Sequence, residues 1–343
     1  MRILTRYALA LMVSLSAAGA WAQPSSEAQE QQKRSVEQPY NNAPVWREVR
    51  KEGSRENYTS IQGRETNVLV QSAGNTWRQI RNGPVTFYGG WLVVLVCLII
   101  AALYFGKGPV KLHDRPTGRM IQRFTTAEQV VHWSTAISFV VLGLSGLTML
   151  FGKHVLLPVM GYTLFGWLTA LAKNLHNFVG PFFIVSVLAM ILMWLRDNLP
   201  RLYDFQWFAR AWAFFMRGEH IPSGRFNAGE KGWFWVGVVG LSVVVSYTGL
   251  VLLFPNFDQT RAVMQQAWIW HASAALIYIA ISLGHIYMGT IGVEGAYQNM
   301  REGVTDETWA REHHEIWYNE VRSGGASSGG AVPAGAPHMK EKS

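Results

Sequence analysis

The sequence predicts an all-α membrane protein in which one extra transmembrane helix precedes a four-helix transmembrane bundle, and three observations predict it. Five stretches are long and apolar enough to cross a hydrocarbon core about 30 Å thick. The basic residues that give the 343-residue chain its formal charge of +8 crowd into alternate connections between those stretches, as the positive-inside rule requires. Four histidines lie within the spans, and ionisable groups at that depth normally face a bundle interior with a partner.

The elements follow in order. Residues 1–22 read as a cleaved signal peptide: Arg2 and Arg6, an apolar run from Ala8 to Ala18, then Ala20-Trp21-Ala22. The run is short for a spanning helix; a retained anchor is the alternative reading. Residues 23–86 form a polar periplasmic segment whose first part, rich in Gln, Ser and Glu, is expected to be disordered. Its second part, Trp46–Trp77 with a β-like run at Asn67–Gln71, is either a small docking segment for a partner or a loose tether. Residues 87–105 are the extra span, with aromatic anchors at both ends. Residues 106–129 are a cytoplasmic basic loop in which Lys107, Lys111, Arg115, Arg119 and Arg123 outnumber Asp114.

Residues 130–295 hold the four-helix core, with spans at Val130–Leu150, Asn174–Leu195, Trp233–Phe254 and Trp268–Gly289. The connections Gly152–Lys173 and Pro255–Gln266 carry little charge, whereas Arg196–Lys231 is strongly basic. Residues 296–343 are a cytoplasmic tail, partly disordered because its SGGASSGGAVPAGAP stretch is low-complexity. The protein is thus expected in the bacterial cytoplasmic membrane, its mature N-terminus periplasmic and its C-terminus cytoplasmic. The basic clusters act as orientation signals beside the lipid bilayer, not as nucleic-acid contacts. Cys97 is the single cysteine. It cannot form an intrachain disulfide, a CxxCH haem attachment or an iron–sulfur cluster, so any such cluster sits on another chain.

The last span organises the function. His271 and His285 stand fourteen residues apart on it, about 21 Å of helix rise and nearly four full turns, so both imidazoles project from one face. The topology places His271 towards the outside and His285 towards the cytoplasm. On the same reasoning His132 lies at cytoplasmic depth and His176 at the outer side. The four sort into two pairs by level: His176 with His271, and His132 with His285. Bis-imidazole ligation is how an apolar bundle holds a low-spin b-type haem, so two haem b groups are expected, one per pair. Electrons entering outside can then cross to an acceptor near the cytoplasm, which a lipid-soluble quinone supplies. A haem-free anchor or transporter that uses the histidines for protons or metals is the alternative of a different class. The remaining histidines, His113, His154, His220, His313, His314 and His338, fall in loops or tails, where solvated imidazoles are expected.

From Phe124 to Tyr318 the chain resembles the cytochrome b (gamma) subunit of membrane-bound formate dehydrogenase. The resemblance rests on VVHW around His132, NLHNFVGPFF around His176, WIWHASAALIYIAISLGHIYMG around His271 and His285, RFNAGEK at Arg225–Lys231 and WAREHHEIWY at Trp309–Tyr318. The core is shared with b-type subunits of nickel–iron hydrogenases, which remain the competing assignment. The resemblance implies a four-helix dihaem cytochrome b bundle with no formate-oxidising site of its own. It implies as partners a catalytic (alpha) subunit with a molybdenum or tungsten pterin and an iron–sulfur (beta) subunit. It also implies that electrons pass by the outer pair to the inner pair and on to menaquinone or ubiquinone. Asn227, Gly229 and Glu230 fall where that family builds its quinone pocket, and Glu230 stands where a glutamine is expected.

Overall fold

Five helices are long and apolar enough to cross a membrane, namely Gly74–Gly106, Thr126–Val155, Leu157–Trp194, Ala228–Leu253 and Arg261–Gly292. They make this a multi-pass membrane protein. The computed structural model describes residues 73–324 apart from Asn256, together with Glu30 and Lys33. The expected signal peptide, the run at Asn67–Gln71 and most of the low-complexity end lie outside the described residues.

Every span begins earlier than hydropathy marks it. Hydropathy registers the part that lipid can accept, whereas helical hydrogen bonding runs on until a cap or a glycine stops it. The first helix shows this: α1 (Gly74–Ile80) passes through a π turn at Arg81–Val85, which contains Pro84, into α2 (Thr86–Gly106). Proline brings no N–H to the ladder, and wider turns absorb such gaps. The largest difference concerns Gly152–Lys173, expected as a loop. There α3 (Thr126–Val155) runs almost directly into α4 (Leu157–Trp194). The break falls at Gly161, whose φ of 72° and ψ of 171° are essentially open to glycine alone.

By packing the chain divides into two units. Among the described residues from 73 on, one comprises the stretch up to Ile80 with Thr248–Ile269, and within it Trp77 meets Trp268 edge-on with ring centres 5.8 Å apart. The other comprises Arg81–Tyr247 and Trp270 onward. Its core gathers Phe124, Phe183, Met190, Trp194, Phe234 and Tyr278.

Helix α3 starts from a capping box. Thr125 Oγ1 accepts from the Glu128 N–H at 3.3 Å, and Glu128 Oε2 accepts from the Thr125 N–H at 2.8 Å. The other Glu128 oxygen accepts from Trp194 Nε1 at 2.8 Å and from Arg225 Nη2 at 2.7 Å. One buried carboxylate therefore ties the start of α3, the end of α4 and the segment around Arg225.

The basic connection Arg196–Lys231 is not a plain loop. It contains α5 (Leu202–Arg217), which buries Trp207 and Phe214 and exposes Leu202, Phe205 and Trp212. The next helix, α6 (Ala228–Trp233), continues through a π segment at Phe234–Leu241 into α7 (Ser242–Leu253). Lys231 on α6 ion-pairs with Asp204 on α5 at 2.8 Å, and both side chains are buried. Helix α8 (Arg261–Tyr287) ends in a third π turn at Met288–Gly292.

The part of the C-terminal tail within the described residues is folded. It forms α9 (Ala296–Glu302), β2 (Val304–Asp306), α10 (Glu307–His313) and α11 (Glu315–Arg322). Strand β2 pairs antiparallel with β1 (Met120–Gln122), Met120 opposite Asp306. Between α9 and β2 sits Gly303 at φ 75°, where a Cβ would lie 2.6 Å from the Phe124 carbonyl oxygen. Trp317 and Tyr318 of α11 pack with Ile121 and Ala310. This burial carries His313 and His314 inside, at 8% and 1% exposure, where the sequence suggested solvated imidazoles.

Candidate functional site

His132 lies two turns into α3, His176 in the middle of α4, and His271 and His285 on α8. The structure brings them together as two pairs. His176 and His271 have ring centres 6.0 Å apart with planes at 74°, and His132 and His285 have theirs 6.4 Å apart at 58°.

Hydrogen bonds fix the first pair. Ser145 Oγ donates to the Val141 carbonyl at 2.7 Å, so towards His176 Nδ1, 2.9 Å away, it acts as acceptor. His271 Nδ1 lies 3.0 Å from the Val245 carbonyl, which can only accept. Both imidazoles therefore carry the proton on Nδ1 and present Nε2 as a lone pair. The second pair is set by aromatic rings. Trp233 stacks on His285 at 5.0 Å and 14°, and Trp194 lies 6.3 Å from His132. Nδ1 of His132 is buried with no hydrogen-bond partner among the described residues.

Asn227, Gly229 and Glu230 were expected as a loop, and the structure makes them the cap and first turn of α6. Asn227 Oδ1 accepts from the Glu230 N–H at 2.9 Å and Glu230 Oε2 accepts from the Asn227 N–H at 2.8 Å. A Cβ on Gly229 would sit 3.0 Å from the Trp207 ring, so no side chain fits without a shift. The same short helix ends in Trp233, which links this segment to His285.

Sequence reasoning missed the cation beside it. Arg123 was counted as one more orientation charge, yet its side chain is 4% exposed. Its guanidinium lies over the rings of Phe124 and Trp309, both at 4.9 Å. Nη2 donates to the Arg225 carbonyl at 2.9 Å and to Glu230 Oε1 at 3.1 Å, and it meets His314 Nε2 at 3.0 Å. Burial pulls the Arg123 pKa below the usual guanidinium value, while the Glu230 carboxylate pulls it back. His314 Nδ1 donates to the Gly224 carbonyl at 2.7 Å, which leaves Nε2 to accept from Arg123. That imidazole is neutral: burial first, then the Arg123 charge, hold its pKa well below the ordinary histidine value. The 3.9 Å approach of His314 Nε2 to Glu230 is therefore no ion pair. The signals available in the sequence were the two box patterns, Thr125-x-x-Glu128 and Asn227-x-x-Glu230.

A bundle of membrane helices that sets imidazoles in facing pairs has the architecture of a membrane b-type cytochrome. The comparisons agree: residues 123–303 match the family model described as prokaryotic cytochrome b561, and the chain belongs to that family. It is 32% identical over 205 residues to the formate dehydrogenase cytochrome b556(fdo) subunit of Escherichia coli K12, covering 59% of this chain and 93% of that protein. It is 29% identical over 213 residues to the nitrate-inducible formate dehydrogenase cytochrome b556(Fdn) subunit of the same strain, covering 59% and 92%. A formate dehydrogenase cytochrome b556 subunit of Haemophilus influenzae is 26% identical over 210 residues, covering 58% and 83%.

Membership makes haem b the cofactor, and the residues present fit it. An imidazole nitrogen bonds a metal at about 2.0–2.1 Å, and the ring centre lies roughly 1.2 Å further out. Two imidazoles across one iron then have centres about 6.4 Å apart, which both pairs approach. The donor chemistry fits as well, with Nε2 lone pairs directed away from the Nδ1 hydrogen bonds at His176 and His271.

Proposed function

We propose that this chain is the membrane cytochrome b subunit of a formate dehydrogenase, with His176 and His271 as axial ligands of an outer haem b and His132 and His285 of an inner one. The observation that carries the reading is the presence of two facing imidazole pairs on one helix bundle, with ring centres 6.0 and 6.4 Å apart. When bound, haem b supplies a one-electron iron couple. The protein's part is to hold the imidazoles, fix their tautomers through Ser145 and the Val245 carbonyl, and wall the path with apolar side chains.

The similarity to formate dehydrogenase subunits supports partners of the same kind: a catalytic subunit and an iron–sulfur subunit that delivers electrons at the periplasmic side. At the cytoplasmic side the segment Asn227–Glu230 is proposed to border the pocket of a menaquinone or ubiquinone. The Asn227 and Glu230 backbone is fixed by the cap, and the Glu230 side chain is 36% exposed and tied to Arg123. That arrangement offers a carboxylate able to accept a hydrogen bond from a reduced quinone.

Pyridine haemochrome quantification of the purified protein tests the reading. Two haems per chain are expected, falling to one in His132→Ala or His285→Ala with the other centre still reducible by formate through the partner subunits. Unchanged haem content in these variants would remove the ligand assignment.

A further inference from the structure

Outside both histidine pairs, two connecting segments and helix α10 of the second unit bring His113, His220 and Glu312 together, with ligand atoms all within 4.8 Å of one another. We propose that these three side chains bind a zinc ion. The site shares no residue with the proposed haem ligands or quinone pocket and does not rest on that reading.

The geometry points to a cation and not to a hydrogen-bonded cluster. His220 Nε2 faces two groups at once, His113 Nδ1 and Glu312 Oε2, the latter at 3.2 Å. A single Nε2–H serves both only as a shared, three-centre bond, whereas an ion engages each nitrogen and oxygen with a bond of its own. A divalent ion between the three satisfies all of them. Bonds of about 2.0–2.1 Å in tetrahedral array put neighbouring ligand atoms roughly 3.3 Å apart, close to the His220–Glu312 separation, while His113 Nδ1 and His220 Nε2 lie closer and must move apart to share the ion. Two imidazoles and a carboxylate form a donor set suited to zinc, with a fourth position left for water.

The surroundings orient the ligands. Glu312 Oε2 accepts from the backbone N–H of His113 and Oε1 from the backbone N–H of Asp114, each at 2.9 Å. The Asp114 carboxylate is taken by Arg311 at 2.5 Å, so it is not a competing ligand. His220 packs edge-on against His113, ring centres 4.3 Å apart. His113 is exposed, which leaves the ion a way in, while Glu312 is buried. The ion would clip the segment after α2, the segment before α6 and the C-terminal helix α10 at one point.

The test uses the untagged full-length protein in detergent and zinc itself as the probe. Elemental mass spectrometry after exchange into metal-free buffer should give about one zinc per chain, reduced at least ~tenfold in His113→Ala, His220→Ala and Glu312→Gln. His154→Ala, an exposed histidine at the end of α3, should keep the wild-type content. Variant folding is followed by tryptophan fluorescence. A measurement on wild type alone guards against misfolded variants: stripping with chelator should lower the melting temperature, and added zinc should restore it. Wild-type protein that neither retains zinc nor is stabilised by it overturns the proposal. So does a His113→Ala, His220→Ala double variant that keeps its zinc.

Discussion

The two histidine pairs share helix α8 and nearly the same ring separation, yet their supports differ. At His176 and His271 each Nδ1–H has a hydrogen-bond acceptor, Ser145 Oγ and the Val245 carbonyl. At His132 and His285 the neighbours are Trp194 and Trp233, and the His132 Nδ1 meets none. An imidazole that gives up a hydrogen bond is the more basic ligand and favours the oxidised metal. An apolar, unassisted imidazole favours the reduced one. The difference teaches that, with the four imidazoles as the proposed haem ligands, a direction for electron flow would be written in their neighbours and not in the ligands themselves.

The largest effect expected concerns the ligands. His176→Ala and His271→Ala should each remove the lower-potential haem and block entry of electrons from formate, whereas His132→Ala and His285→Ala should leave entry intact and stop quinone reduction. Rapid-kinetic spectra of each variant after formate addition would show the split, and identical behaviour of all four would erase it. Next in size is the contrast in potential: a redox titration should place the centre at His132 and His285 above that at His176 and His271. Ser145→Ala should raise the lower potential by tens of millivolts, on a scale of about 59 mV per tenfold for one electron. A shift at the other centre instead would reverse the assignment.

Trp233→Leu removes the ring stacked on His285 and should weaken haem retention at that centre alone. Haem loss to apomyoglobin would measure it, and equal loss at both centres would count against the local role of the tryptophan. The smallest effect belongs to Asn227→Ala, which removes one cap of α6 and should cost about 1 kcal/mol in thermal stability. If Asn227 also borders the quinone, the variant should abolish the spectral response of the nearby centre to quinone-site inhibitors.

The histidine pairing was legible because helix rise and loop charge are both periodic or additive features, readable one residue at a time. Five spans and their approximate places followed from the same properties. Residues Gly152–Lys173 were misread because their short polar interruptions look like a long connection, while the helices on either side extend into them and confine the break to the stretch around Gly161. The burial of Arg123, Glu128 and His314 was not legible. Each depends on partners about a hundred or more residues away, such as Arg225 for Glu128 and Gly224 for His314. Local charge gave no hint that Arg123 would be enclosed by Phe124 and Trp309. Helix α5 was hidden for another reason: its apolar residues serve two faces, one buried and one exposed, so the stretch reads as neither span nor loop.

The pairing of β1 with β2, and of Arg123 with His314 across 191 residues, has a consequence for biogenesis. The end of the bundle that holds His132 cannot be closed until the ribosome has passed α11, which supplies contacts to Ile121. Nascent chains stalled before Val304 should already present His176 and His271 as neighbours while the opposite end stays open to protease. Assembly would then proceed from one level to the other, in the order that translation dictates.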